Sequence, residues 1–364
     1  MTPRAACCLL LGIVGAFSCK KPAPPDTTAP APTHAVPENL PDARVDDPGA
    51  GPGPDTGDAS LLATLGADND GADAAQVDGA APREWRSIHG RHWQIVSPPG
   101  EPVEETDRRE GNRGACPPGM VDVAGDMVNA WLMDERQQDV CTKWINRKFP
   151  ERCAEFDRDL WLARTRDLPR KPMHFCIDRF EYPNRKGEYP VLYVNWIEAN
   201  ELCEAEGKRL CTETEWTFAC EGEEAMPYPY GYVRDTESCI VDKTWVPYFP
   251  KAFSTPEGTM HELDRLWQGA PSGDRPRCKS SFGVYDMTGN VDEWTRSSSP
   301  QGRPSVLKGG YWGPVRTRCR PSTRAHGELH AFYQQGLRCC TSLPPPDAGI
   351  SSSDAGHSDE QDAR

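Results

Sequence analysis

The amino-acid sequence predicts a loop-rich α+β domain stabilised by disulfides and carried outside the cytoplasm on a disordered acidic tether. Three observations lead there. Twelve of the 15 cysteines fall between Cys116 and Cys340, and an even number in an exported domain reads as a disulfide framework. The two flanks are Pro-, Ala-, Asp- and Gly-rich with almost no aromatic residues, whereas Trp and Tyr crowd the middle. Only the middle can bury enough apolar area to offset the entropy of ordering. Within it, two helices are clearly punctuated, and the remainder is dominated by Gly, Pro and aromatic residues without helical period.

Residues 1–19 read as a signal peptide. Arg4 supplies the positive start, Cys7 to Phe17 the apolar stretch, and Ala16-Phe17-Ser18 precedes Cys19. The stretch is too short to span a bilayer. Small residues at the last and third-last positions suit an ordinary signal peptidase; Cys19 at the cut suits a bacterial lipoprotein lipidated on that cysteine, although Ala16 stands where a lipobox carries Leu. Cysteine parity favours lipidation, because Cys7 and Cys8 leave with the signal and an unmodified Cys19 would leave an odd thiol. The expected location is the bacterial periplasm, outer membrane or cell surface, with the membrane reached through the lipid anchor. Free buried cysteines in a cytosolic protein are the alternative, against which the signal and the cysteines agree.

Residues 20–115 are expected to form the disordered tether, serving as a spacer from the envelope or simply as a tolerated linker. Residues 20–82 carry 11 acidic residues against Lys20, Lys21 and Arg44, and the tail at 344–364 repeats that composition. The net charge of −14 therefore sits mostly on the flanks. The central domain is nearly neutral, has no basic stripe, and is not expected to bind nucleic acid.

Residues 116–343 are the expected domain. A strand is expected at Gly119 to Val123. Trp131 to Thr165, with Cys141 and Cys153 twelve apart, suggest one or two short helices in a disulfide-pinned insertion. His174 to Tyr182 alternates imperfectly between apolar and polar and suits a half-buried strand. Asn195 with Glu198, and Thr212 with Glu215, are capping-box pairs that open two helices, stopped by Gly207 and Gly222.

Seven phrases in order are similar to the formylglycine-generating enzyme family, also called sulfatase-modifying factors: GMVDVAG at 119–125, FCIDRFEYPN at 175–184, the stretch from Tyr189 to Gly222, YPYG at 228–231, FGVYDMTGNVDEW at 282–294, LKGGYW at 307–312 and GLRC at 336–339. The resemblance implies a variant of the C-type-lectin-like fold with little regular secondary structure. The copper-dependent members it resembles oxidise a cysteine within C-x-P-x-R to formylglycine, using two thiolates at the second and seventh positions after the Trp of a GGSW phrase, a soft pair suited to Cu(I). Counted from Trp312, the seventh position is Cys319 but the second is Pro314. The Ser of GGSW is Tyr311, the aromatic residue before the second Cys is Arg318, and the Trp of NxWEW is Asp292. Copper is therefore not expected. Cys319 is the one residue carried over as catalytic, with the competing reading that it pairs in a disulfide with Cys339 or Cys340.

The resemblance also implies a calcium site formed by Asp286, the carbonyls of Gly289 and Val291, and Glu293, hard oxygen donors that suit the ion. A carboxylate that merely caps a turn is the bland alternative. A second family calcium site near CIVD at 239–242 lacks its expected Asn. His326, Glu328 and His330 form an H-x-E-x-H cluster open to zinc or iron, although Gly327 argues against one helical face, and histidines that simply hydrogen-bond are the competing reading. Arg316, Arg318, Arg320, Arg324 and Arg338 either grip a ligand's carboxylates or are salt-bridged internally, to Asp292 or Glu293 among others. Serine-hydrolase, P-loop and dinucleotide signatures are absent from the ordered region.

Two functions follow as expectations: a calcium-stabilised, non-catalytic recognition module at the cell envelope, binding a peptide or protein in the family groove; or a metal-dependent oxidase acting on protein cysteine or another substrate, through His326 and His330 or a Cys339–Cys340 redox pair.

Overall fold

Period-two alternation explains the first ordered element, which the sequence reading missed. A computed structural model of the chain describes residues 83–97, 116–130, 132–146 and 152–343, all within one compact unit; the expected signal peptide, Cys19, most of the expected tether and the expected tail lie outside the described residues. Residues 83–97, assigned above to the tether, form an antiparallel hairpin of β1 (Trp85–Ile88) and β2 (His92–Ile95). Trp85, Trp93 and Ile95 turn inward against Leu192, Leu263, Trp267 and Trp312. His89 and Gly90 both take positive φ in the three-residue connection, where Arg91 N bonds Ile88 O at 3.2 Å, a turn whose hand follows the strand twist. Arg83 Nε and Trp85 Nε1 donate to Asp264 at 2.7 and 2.9 Å, and Trp93 exchanges backbone hydrogen bonds with Leu192. Three large apolar side chains in 15 residues are enough to hold this segment on the domain.

The principal sheet begins at β3 (Met120–Val128), which pairs antiparallel with β6 (Arg170–Asp178) over nine residues. Between them lie α1 (Met133–Gln138), a hairpin of β4 (Cys141–Trp144) and β5 (Cys153–Phe156), and α2 (Arg158–Thr165). The two short helices agree with expectation. The Cys141–Cys153 disulfide closes the hairpin. Val128, Met133, Val140, Phe156 and Trp161 form a cluster of their own with Tyr228 and Tyr232.

Helix α3 (Trp196–Ala205) and helix α4 (Glu213–Glu221) both open with complete capping boxes. Asn195 Oδ1 accepts from Glu198 N at 3.0 Å while Glu198 Oε2 accepts from Asn195 N at 3.1 Å; Thr212 and Glu215 make the same reciprocal pair. Each cap satisfies amide groups that the first helical turn leaves unpaired. Replacing Asn195 by Ala is expected to lower unfolding free energy by about 1 kcal/mol, read from urea denaturation. A loss below about 0.3 kcal/mol would mean that packing, not the cap, sets where α3 starts.

Between the helices runs β7 (Arg209–Leu210). Helix α5 (Pro256–Leu266) follows, unforeseen in the sequence, with Thr255 Oγ1 accepting from Gly258 N and Pro256 in the first turn. The strands β8 (Asp292–Arg296), β9 (Ser305–Lys308), β10 (Ser322–Thr323), β11 (Gln335–Leu337) and β12 (Cys339–Ser342) complete the fold. Two four-stranded sheets result, ordered β3-β6-β12-β7 and β10-β9-β8-β11, the second with β8 and β11 parallel. Among the described residues no helix is long and apolar enough to cross a membrane.

All twelve cysteines of the domain pair: Cys116–Cys176, Cys141–Cys153, Cys203–Cys339, Cys211–Cys340, Cys220–Cys319 and Cys239–Cys278. The expected framework is present. Its connectivity corrects one expectation, because Cys319 bonds neither Cys339 nor Cys340. Those two sit on β12 beside β6 and β7, within reach of Cys203 and Cys211, whereas Cys319 is held beside the end of α4 by its N–H bond to Pro227 O.

Candidate functional site

The 284–293 loop is anchored by Val284 and Met287, both fully buried. Asp286, Gly289 and Asn290 all have positive φ, and a Cβ on Gly289 would lie 2.3 Å from Ile240 O. Only glycine fits there. The loop leads into β8 and so places Glu293 in the interior. Its carboxylate accepts from Arg338 Nε and Nη2 at 2.9 and 2.8 Å and from Trp216 Nε1 at 2.7 Å. Asp286 Oδ2 accepts from Gly273 N at 2.7 Å.

A third carboxylate, Glu181, was not singled out from the sequence. Glu181 accepts from Asn290 Nδ2 at 2.7 Å, Ser272 Oγ at 2.9 Å and Val291 N at 3.2 Å. Its signal was a Glu set between Phe180 and Tyr182 at the end of a strand, where solvent exposure would be unusual. Burial raises the Glu181 carboxyl well above its ordinary value, with the charges of Asp286 and Glu293 adding to the rise. Burial likewise pushes Asp286 up to about 7. Arg338 is the guanidinium facing all three, and both Glu293 oxygens are already bonded.

Asp286 and Glu181 are thus carboxyls whose ionised form burial disfavours and whose negative charges Arg338 alone would not balance. Hard oxygen donors with surplus negative charge are what a divalent cation such as calcium requires, so the residues present fit that ion. The set implied by the resemblance combines two carboxylates with two backbone carbonyls; no group of three His, Cys, Asp or Glu side chains takes metal-binding geometry among the described residues. The second calcium position fits less well, since Asp242 is taken by Arg234 at 2.7 Å and Arg152 at 3.1 Å.

Where the copper pair would sit, the structure places Pro314 and a cystine. Cys319 is bonded to Cys220, at the end of α4, with both residues fully buried. The catalytic assignment of Cys319 is therefore corrected: it holds no resting thiolate. Arg318, also fully buried, donates to Asp134 at 2.9 Å and to Gln137, and lies 5.5 Å from the Phe156 ring. The segment between β3 and β6 is thereby docked over this position. Tyr311 packs against Trp312 and Tyr333. Arg316 Nη2 donates to both oxygens of Asp292, at 2.9 and 3.0 Å, so the carboxylate that stands at the family's Trp position is paired internally.

The remaining arginines are internal partners as well: Arg320 with Glu221, Arg324 with Glu213 and Arg338 with Glu293. Burial pushes Glu221 up to about 7 in spite of Arg320, and brings Lys308 down to about 8. Because the folded-state value of Glu221 exceeds its unfolded value, its contribution favours folding below about pH 4.5 and is lost as pH rises through about 7. Asp178, raised to about 6 by burial, acts in the same direction. A Glu221→Gln variant is expected to lose less stability between about pH 5 and pH 7 than the parent chain; equal slopes of melting temperature against pH would refute this.

The His326 and His330 rings stack with centroids 4.0 Å apart rather than converging on a point. His330 Nδ1 faces Gln335, and Glu328 accepts from Ser305 Oγ at 3.0 Å with Arg303 at 3.7 Å. The metal reading of this cluster finds no geometry here. Cys339 and Cys340, in separate disulfides, form no pair with each other.

A family model described as the sulfatase-modifying factor enzyme 1-like domain matches residues 153–343. The inactive C-alpha-formylglycine-generating enzyme 2 of Mus musculus is 33% identical over 170 residues, covering 44% of this chain and 52% of that protein. The formylglycine-generating enzyme of Mus musculus is 32% identical over 112 residues, covering 30% and 27%. The chain thus spans about half, or less, of the length of these relatives. Among solved structures, CarF aligns with a TM-score of 0.40 at 15% identity, over 62% of this chain and 98% of that one. PvdO from Pseudomonas aeruginosa aligns at 0.38 and 16%, over 68% and 100%.

Proposed function

From the premise that the chain belongs to the sulfatase-modifying factor family, with its loop-rich, disulfide-stabilised α+β fold of C-type-lectin-like type, we propose that it is a non-catalytic member serving as a recognition module for a peptide or protein at the cell envelope. One observation carries the reading. The family's thiolate pair is replaced by Pro314 and by a Cys319 locked to Cys220, so the soft copper ligands are missing. The buried Arg318 and the segment docked on it support the same conclusion, as does the likeness to relatives named inactive.

Complete pairing of the domain's cysteines leaves Cys19 as the odd thiol after signal cleavage, which favours export and lipidation there. Calcium would be held by Asp286 and Glu293 with the carbonyls of Gly289 and Val291, and Glu181 supplies a further carboxylate. When bound, the ion supplies charge balance and cross-links the loops. Adding calcium to EDTA-treated protein is accordingly expected to raise the melting temperature, a stabilisation of about 2.7 kcal/mol at a hundredfold excess over Kd. An unchanged melting temperature at millimolar calcium would remove the ion from the proposal.

The deciding experiment incubates the oxidised chain with a C-x-P-x-R peptide, oxygen and either copper or iron, and follows the peptide by mass spectrometry. No aldehyde product is expected. Its formation would overturn the non-catalytic reading in favour of an oxidase.

A further inference from the structure

The sequence of the expected tether is not uniformly polar. Residues 20–82 contain four leucines, and three of them, Leu61, Leu62 and Leu65, fall within five positions, in the phrase DASLLATLG at 58–66. The same 63 residues hold no Ile, Met, Phe, Trp or Tyr. A spacer has no use for such a cluster, because apolar side chains left in water carry a free-energy cost that Ser or Asp would avoid.

The folded domain carries an apolar face to match. The Tyr193 and Phe253 rings stack with centroids 5.3 Å apart, Phe253 lies 6.5 Å from Phe332, and Phe332 meets Tyr248 edge-on at 4.8 Å. Tyr193, Phe253 and Phe332 are only half-buried, packed on the cluster that holds Trp85, Trp93 and Leu263. Tyr248 and Phe249 are 40% and 57% exposed, and Leu329, on the loop that carries Phe332, is 78% exposed. Single exposed apolar residues need no explanation, but a connected run of rings marks a binding surface. The run is held from beneath by α5: Phe249 N donates to Glu262 at 2.6 Å, and the Arg265 guanidinium lies 4.5 Å from the Phe249 ring. A preformed face loses little entropy when it is covered.

The place where residue 82 joins the domain selects the occupant. Arg83 bonds Asp264 through both Nε and Nη2, on the same helix and one residue from Arg265. Only the 17 residues from Gly66 to Pro82 separate Leu65 from Arg83. That length reaches about 60 Å at full extension, ample for a face carried by the helix at which it ends, and a connection this short gives a local concentration on the order of millimolar. A second copy of the chain competes at its own, much lower, concentration.

We propose that the segment Leu61–Leu65 of this chain docks on the aromatic face formed by Tyr193, Tyr248, Phe253 and Phe332, covering it from within the same molecule. An outside ligand for that face must then displace the chain's own leucines. The inference goes beyond the reading above and survives if the chain proves to be an oxidase, since it rests on neither the cystine at Cys319 nor the carboxylate centre.

The test uses the full oxidised chain and a fluorescein-labelled peptide of residues 58–66. The peptide is expected to bind a variant carrying Leu61→Glu and Leu65→Glu with a Kd below about 1 mM, and the parent chain roughly tenfold more weakly, because the parent's own segment competes at millimolar local concentration. Adding Tyr248→Glu to the double variant should abolish binding while circular dichroism and melting stay those of the parent. Benzoylphenylalanine in place of Leu62 should photo-cross-link to the aromatic face within one molecule, with a yield independent of protein concentration. No binding to the double variant at 1 mM, equal affinity of parent and double variant, persistence of binding in a folded Tyr248→Glu protein, or cross-links away from the face would each overturn the proposal. Cross-links formed only between copies would give the face to a second molecule instead, and tighter binding of a peptide of residues 21–37 would give it to the Pro-rich part of the chain; either result overturns the assignment to Leu61–Leu65.

Discussion

Replacing Arg338 by Met should destabilise the domain by about 3–5 kcal/mol, the cost of leaving a buried charge unpaired. Arg338 is fully buried and binds both oxygens of Glu293, while its remaining donors reach Asp178 O and Tyr285 O. Methionine keeps much of the length and none of the charge, so Glu293, Asp286 and Glu181 would share one interior without a cation. Urea denaturation at pH 7 measures the effect. A loss under 1 kcal/mol would show that the three carboxylates are already neutralised by protons or metal. Adding Glu293→Gln to the variant should recover part of the loss, since the pair couples directly.

Removing the Cys220–Cys319 bridge with a double Ser substitution is expected to cost about 3–4 kcal/mol. The bridge spans 99 residues, but Cys211–Cys340 and Cys239–Cys278 already shorten the loop that it closes in the unfolded chain. A catalytic role for Cys319 would require the opposite behaviour: reduction would switch on an activity at little structural cost. Melting with and without a phosphine reductant, alongside the peptide assay, separates the two. A loss below 1 kcal/mol, or an aldehyde product on reduction, would return Cys319 to the candidate catalytic residues.

What could be read from the sequence was what is written locally. The capping boxes at Asn195 and Thr212 appeared as foreseen because each needs only residues three apart. The helices flanking the Cys141–Cys153 hairpin were legible too, and the strand expected at His174 to Tyr182 was legible in part, since β6 starts at Arg170 and ends at Asp178. The 83–97 hairpin was not, since its Trp residues sit among Arg, His and Ser and acquire meaning only against Trp267. Helix α5 was hidden because its start is marked by Thr255 and Pro256 alone, inside a stretch rich in turn formers. Parity gave the existence of the disulfides but not their partners, which depend on strand order. The pairing of Arg316 with Asp292 and Arg338 with Glu293 was among the readings left open; burial decides it. Glu181 needed the third dimension, because its neighbours Ser272 and Asn290 lie about ninety and more than a hundred residues away.

The order of the disulfides has a mechanical consequence. Tension entering from the N-terminal side first meets the β1–β2 hairpin, held by Asp264 and Leu192 through non-covalent contacts. Once the hairpin peels away, the load crosses directly from Cys116 to Cys176 and later from Cys203 to Cys339. Only the stretch between Cys176 and Cys203, with the short ends beyond the bridges, is left to lengthen; the rest is shielded by covalent short cuts. Pulling between residues 83 and 343 in a single-molecule instrument should therefore give one weak release and a short extension, with the long extensions appearing only after reduction. Long extensions in the oxidised chain would contradict the connectivity. A module built this way gives up its first hairpin before the carboxylate centre is disturbed.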